Sequence, residues 1–340
     1  GVTVNGTNFF VSNAVGLNIL THGVITANNI TATDNGGTGA ILDNCDAIDP
    51  SGFCQTLIAK LVKLTGYNYF NDNGGNGLEI SSFGVISASN LMASGNNLAG
   101  VILDNQKTNA AVVQVDSIGT ITLTGYGKFN DNGIDNGLLA KSHGTIILTN
   151  LTAINNGNNG IDVNAERTIG VASVTVTGYN YFVGNAGDGL HIGADGKISV
   201  SNVVANLNVG DGAELKNLHA TDFGLGVLLS GATNTFMNNG GAGLLVNATG
   251  PIVVSNVASM SNQTGASLNN QFNTAKLYAV TLSGTNSFNL NDINGLLVDS
   301  YGAIAVSNLT ANGNGILTPA PPDGSGAVLD NCNSSAPGVC

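Results

Sequence analysis

Tryptophan is absent, arginine occurs once (Arg167), and only 9% of the 340 residues carry charge, against roughly a quarter in typical domains. Nine basic residues against 21 acids give a net charge of −12. That balance excludes the basic surface that nucleic acid or an anionic membrane requires. No apolar run approaches the roughly 18 residues of a membrane-spanning helix. Proline, at six residues, is too scarce for a collagen-like or proline-rich chain. Low charge does not signal disorder here, because 42% of residues are apolar and fall in short alternating runs. The chain opens at Gly1, directly on "VTV", and reads as a processed chain or an excerpt of a longer one.

Cysteine is also rare. The four fall as two local pairs in matching contexts, "LDNCDAIDPSGFC" (42–54) and "LDNCNSSAPGVC" (329–340). The spacings are too wide for zinc ligands and no histidine accompanies them. Disulfides Cys45–Cys54 and Cys332–Cys340 are therefore expected, and with them an oxidising, extracellular setting.

What the chain has in abundance is glycine (48 residues) and asparagine, both in register. Phe10, Phe70, Phe129, Phe182, Phe236 and Phe288 mark six double repeats of roughly 50–60 residues, each holding two related coils. The approximate units are 1–60, 61–118, 119–172, 173–225, 226–277 and 278–340. Three residues after each phenylalanine, and at the matching place of the second coil, stands an asparagine. The column is Asn13, Asn35, Asn73, Asn96, Asn132, Asn156, Asn185, Asn208, Asn239, Asn262, Asn291 and Asn314.

A second column alternates glycine with asparagine. Gly6, Gly66, Gly125, Gly178, Gly231 and Gly284 occupy first coils; Asn29, Asn90, Asn150, Asn202, Asn256 and Asn308 occupy second coils. A position that accepts only these two residues calls for positive φ, hence a sharp corner. Two and four residues before each corner the side chain is apolar, as at Val2 and Val4, so those positions share one sheet face. A second strand follows a regularly spaced glycine, as at Leu17 and Ile19. The phenylalanines alternate with Ala32, Ala93, Ala153, Ala205, Ser259 and Ala311, a large-over-small pattern that fills a core without strain.

These periods predict an all-β protein, a single parallel β-helix (β-solenoid) of about twelve coils spanning 1–340, each coil rising about 4.8 Å. The asparagines are expected to form amide ladders, and variable loops to leave from one edge. "GAILDNC", "GVILDNQ", "TGYNYF" and "VSNLTA" resemble the right-handed parallel β-helix repeats of large secreted or cell-surface proteins of bacteria, within the broad pectin-lyase-like group. The resemblance covers the whole chain and implies the fold and an extracellular location. It implies little about activity, because that fold carries lyases, hydrolases, tailspikes and adhesins.

The motifs of the galacturonan hydrolases of that fold (Asn-Thr-Asp, a paired Asp-Asp, Gly-His-Gly, Arg-Ile-Lys) are missing. His22 and His143 fall at a turn that elsewhere holds Phe83, Asp195, Thr249 or Tyr301, which reads as a solvent turn. Arg167 lies in a loop beside Glu166 with Asp162 on the preceding strand, a solvated charge pair rather than a lyase base. Asp43, Asp104 and Asp330 share a column in second coils, so Asp43 and Asp104 stand two coils, roughly 9–10 Å, apart with Ser81 between them, at or beyond the upper edge for an inverting glycosidase. His191 and His219 have no carboxylate or cysteine at ligand spacing.

No cofactor is expected. "GNNGIDVNA" (157–165) half-matches a calcium-binding nonapeptide and, with Asp72 and Asp131, leaves a surface calcium as the one open ion reading. Tyr67, Tyr126 and Tyr179 form an aromatic column beside the corner, either mutual packing or a sugar platform. Insertions gather at 45–57, 106–117, 165–172, 218–225, 271–277 and 332–340, and recognition is expected there if anywhere.

Neither terminus reads as a polar cap, which leaves an excerpt of a longer array or a subunit that stacks end to end. The expected function is a non-enzymatic extracellular structural element: a filament subunit, stalk or adhesin-like scaffold. Its expected partner is itself or further repeats, with surface glycans second. The alternative is a carbohydrate-binding or polysaccharide-degrading β-helix protein.

Overall fold

A computed structural model describes residues 1–45, 59–106, 108–109, 115–116, 118–166, 171–218, 224–273, 276–316 and 324–331. Among these residues there is no helix. The chain forms two compact units, Gly1–Gly178 and Tyr179–Cys340, and each is a parallel β-solenoid.

Each coil carries three short strands. In the first unit the opening strands stack as Val2, Ile25, Val62, Ile86, Ile121, Ile146 and Val174, each in register with the next. The closing strands stack as Leu17, Ala40, Leu78, Val101, Leu138 and Ile161. The second unit repeats both columns, Ile198–Val227–Ile252–Val280–Ile304 and Leu190–Ala213–Leu244–Ala266–Leu296–Ala327. Alternate side chains point inward, so strands such as Ile25–Asn28 bury every second residue. Within an insertion, Thr108–Asn109 pairs antiparallel with Val115–Asp116.

Every corner of the Gly/Asn column has positive φ, from Asn29 at 46° to Gly231 at 112°. The alternation has a steric cause. A Cβ on Gly66, Gly125, Gly178 or Gly284 would lie 2.0–2.1 Å from the Oδ1 of the corner asparagine one coil earlier. That asparagine also donates backwards, as Asn90 does to the Gly66 carbonyl at 3.1 Å and Asn256 to the Gly231 carbonyl at 2.8 Å. One amide thus serves two corners, and the natural repeat is two coils.

Between corner and ladder runs a middle strand that the apolar pattern alone did not announce, for example Asn8–Val11 and Ile30–Thr33. It carries the phenylalanine column, with Phe10 over Ala32, Phe129 over Ala153 and Phe236 over Ser259. Phe70, Phe129, Phe182, Phe236 and Phe288 are fully buried. Its other inward position alternates apolar residues with buried asparagines that the repeat reading missed: Asn68, Asn180, Asn234 and Asn286. Asn234 accepts from Val203 N at 3.1 Å and donates to the carbonyls of Ser230 and Ser255 at 3.1 and 2.9 Å, bonding across three coils.

The expected ladder is present in both units. In the first, Asn35, Asn73, Asn96 and Asn132 each donate Nδ2 to the Oδ1 of the next asparagine at 2.9 Å. Asn13 does the same to Asn35 at 3.3 Å. In the second, Asn185, Asn208, Asn239, Asn262 and Asn291 run on to Asn314 at 2.9–3.3 Å. Each Oδ1 also accepts the backbone N–H of the previous ladder residue, as Asn132 Oδ1 does from Asn96 N at 3.2 Å. The second amide proton goes to the carbonyl beneath the aromatic column, as Asn96 to Phe70 O at 2.9 Å. Both donors and both lone pairs are used, which is what allows a row of amides to be buried.

Candidate functional site

The insertions expected at the loop edge lie largely outside the described residues, as do Arg167, His219, Cys54, Cys332 and Cys340. Cys45 is fully buried, packs with Phe83, and is not a free thiol. The roots of the insertions are well defined. Asp43 accepts from Cys45 N at 2.7 Å, Asp104 from Gln106 N at 2.9 Å, and Asn269 from Gln271 N at 2.8 Å. These are Asx turns, so the Asp43/Asp104 column starts each loop. Ser81 stands between the two acids as expected.

The next residue, asparagine at 44, 105, 217 and 270, ties the root down. Asn217, for example, donates to the carbonyls of Ala194 and Gly196 at 3.1 and 2.7 Å. In three first coils a serine takes this place, Ser82, Ser142 and Ser300. Ser142 donates to Gly119 O at 3.1 Å and accepts from Gly144 N at 2.8 Å.

The turn expected to face solvent is mixed: His22 is exposed as expected, and Thr249 and Tyr301 are half-buried. Phe83, His143 and Asp195 there are 8%, 9% and 7% exposed. Where Ser82 or Ser142 precedes the turn, its hydroxyl accepts from the N–H of the glycine that follows and holds the backbone.

Two charge groupings emerge that spacing along the chain did not suggest. Asp299 lies directly opposite Asp330 on adjacent coils, and burial, then the Asp330 charge, raises the Asp299 carboxyl above the usual range. The larger grouping joins the acids at 188, 211 and 214 to His191 and Lys216. His191 and Glu214 are partners in register, with Nε2 3.4 Å from Oε2, and Lys216 Nζ lies 2.7 Å from Glu214 Oε1. His191 therefore does have a carboxylate neighbour, correcting the reading from spacing. Glu214 comes to it because it occupies the same column one coil on.

Burial raises Asp211 to about 6, and the charges of Asp188 and Glu214 push the same way. Asp188 is raised too, first by burial. Both acids have a structural task. Asp188 accepts from Asp211 N at 2.7 Å, and Asp211 from Ala242 N at 2.6 Å. Asn76 and Asn136 do this same work in the first unit, accepting from Ala99 N and Asn159 N at 2.8 and 3.0 Å.

Asp162, in the half-matched calcium stretch, receives Asn136 Nδ2 at 3.4 Å. No cluster of three His, Cys, Asp or Glu side chains with metal-ligating geometry occurs among the described residues. Tyr67 and Tyr126 meet with ring centroids 6.3 Å apart and planes at 39°. Tyr67 is 57% exposed. Burial, then the neighbouring Tyr69, raises the Tyr126 phenol above its ordinary value. Lys128 is exposed on the strand that holds Tyr126, and Lys63 is exposed on the strand that ends before the Gly66 corner.

The chain matches no known family model, no curated protein and no solved structure.

Proposed function

We propose that this protein is a non-enzymatic extracellular structural element, a filament subunit, stalk or adhesin-like scaffold of the kind built from β-helix repeats in large secreted or surface proteins of bacteria. The observation that carries this reading is the use made of its interior polar groups. Ladder, corner and middle-strand asparagines bond from coil to coil, and Asp188 and Asp211 accept backbone N–H groups where asparagine serves elsewhere. The ladder bonds run head to tail, so any coil added in register, from this chain or another copy, extends them. The expected disulfides suit an oxidising exterior. Electron microscopy of the purified protein tests the reading: filaments or long rods with an axial repeat of about 4.8 Å support it, and dispersed particles that depolymerise a polysaccharide contradict it.

Carbohydrate recognition is the second reading, and Tyr67–Tyr126 favours it. Two tilted rings, one exposed and one half-buried, offer stacking faces to a glycan, and exposed Lys128 on the strand of Tyr126 offers a hydrogen-bond donor. Loss of glycan retention in Tyr67→Ala would support that role.

A further inference from the structure

We propose, resting on the structural reading above, that the first coil of one copy of this chain continues the last coil of another, with the Gly6 corner seated on the Asn308 corner. Two glycines lack, among the described residues, the neighbour that obliges their counterparts to be glycine. A Cβ on Gly66, Gly125, Gly178, Gly231 or Gly284 would lie 2.0–2.3 Å from the Oδ1 of the corner asparagine one coil earlier, whereas a Cβ on Gly6 would meet nothing within 4 Å. Positive φ at Gly6, 86°, calls only for glycine or asparagine, since Asn29 holds the same corner at 46°. It is the asparagine before it that selects glycine. The closing glycines show the converse at the other end. A Cβ on Gly295 would lie 2.4 Å from Gly326 O and 2.6 Å from Asn314 Nδ2, both on the following coil. On Gly326 the nearest atom would be Ala311 O of its own coil, at 3.0 Å.

The two end coils also match in phase, which selects a second copy as occupant. The corner column runs from Gly6 to Asn308, the aromatic column from Phe10 to Ala311, and the middle-strand column from Asn8 to Leu309. Each alternation therefore continues unbroken when a first coil follows a last one. Asn68 and Asn234 accept from Ile30 N and Val203 N of the coil before, and Asn8 would take Leu309 N in the same way. The ladder shows the vacant place directly. Asn35, Asn73 and Asn96 donate to the carbonyls of Phe10, Ala32 and Phe70 in an earlier coil, but Asn13 donates to Val11 O of its own coil at 3.2 Å. Over Ala311 it regains the common partner, and its Oδ1 receives Asn314. The inward side chains are uncovered: Leu329 is 48% exposed, while Val298 opposite it on the preceding coil is fully buried. Charge does not oppose the contact, because residues 1–23 hold no Asp, Glu, Lys or Arg and the described last coil holds only Asp330. About 20 residues a side would meet, as in a standard interface. A head-to-head pair would set Asn13 Oδ1 against Asn13 Oδ1, so the contact is directional and open, the kind that builds filaments.

Sedimentation of the full chain from about 1 μM to about 1 mM tests this, with electron microscopy of the most concentrated sample. Wild type is expected to pass from single chains to end-to-end rows. Gly6→Ala should weaken association by about a hundredfold or more, because its methyl runs into Asn308 Oδ1 of the next copy. Circular dichroism should show that variant folded, since the methyl meets nothing in its own copy. Asn308→Gly should weaken association by less than about tenfold, the loss of one hydrogen bond. The double variant should associate like Asn308→Gly alone, because the obstruction is gone. A wild type that stays single throughout overturns the junction, as does a double variant no better than Gly6→Ala. Rows that Gly6→Ala leaves intact also overturn it, but leave the structural reading standing, with the contact at another surface. The structural reading itself falls if the chain depolymerises a polysaccharide.

Discussion

Asn256 stands where a side chain on Gly284 would have to be: a Cβ there would lie 2.1 Å from the Asn256 Oδ1. The same amide donates to the Gly231 carbonyl at 2.8 Å and accepts from Thr285 N at 3.1 Å. The pair explains why one coil of each two has glycine at the corner and the other asparagine. Gly284→Ala combines this collision with strain at φ 72° and is expected to destabilise by about 3 kcal/mol. Asn256→Gly removes the obstruction. In the double variant the alanine should cost about 1–2 kcal/mol, the strain alone, and a double-mutant cycle by denaturant unfolding reads the difference as coupling. Additive effects would contradict the steric account.

The ladder makes a second prediction. Asn132→Ala leaves Asn96 Nδ2 and Asn96 N without their acceptor, removes the amide donor to Ala93 O, and takes one of two donors from Asn156 Oδ1, which keeps the backbone N–H of residue 132. Four buried groups lose partners, so a loss of about 2–4 kcal/mol is expected from the shift in unfolding midpoint. Asn132→Asp should cost more, because it buries a charge and turns a donor toward Asn156 into an acceptor.

Much of this was legible in the residues because corner, ladder and aromatic positions each admit only one or two residue types. Asn29 and Gly66 announce a corner whatever the length of the loop between them. The middle strand was not legible, because its inward position alternates Asn68 with Leu91, which looks like neither an apolar nor a polar column. The grouping of His191 with Glu214 was hidden for a different reason. The contact depends on which coil lies above which, and neither residue belongs to a repeated motif.

Asp211 gives a pH dependence with a definite sign. Its carboxyl is raised to about 6 in the folded chain, above the roughly 3.9 of an unfolded aspartate. The folded state therefore holds the proton more tightly, and stability from this group is greatest below about pH 4 and falls as pH rises to about 6. Asp211→Asn keeps an oxygen for Ala242 N and removes the charge. It should flatten that slope and raise stability at pH 7 by about 1 kcal/mol, discounted for partial exposure. A loss of stability at pH 7 would show that the carboxylate itself is needed.

Asn73–Gly74, Asn132–Gly133 and Asn239–Gly240 are sequences prone to deamidation, in which the glycine nitrogen attacks the preceding amide. In the coil that nitrogen is engaged: Gly74 donates to Asn35 O at 2.8 Å, Gly133 to Asn96 O at 2.7 Å and Gly240 to Asn208 O at 2.9 Å. Prolonged incubation at mildly alkaline pH should leave these sites intact in the native chain and convert them in the denatured chain, as peptide mass mapping would show. Equal conversion in both states would contradict the protection.

Side-chain amide hydrogen exchange tests the central claim most directly, namely that stacked asparagines lock successive coils. The Nδ2 protons of Asn73, Asn96, Asn208 and Asn239 are expected to exchange only through global unfolding, as slowly as the backbone amides of the strands beside them. Exchange of these protons at the rate of an exposed asparagine, while the strand amides stay protected, would contradict it.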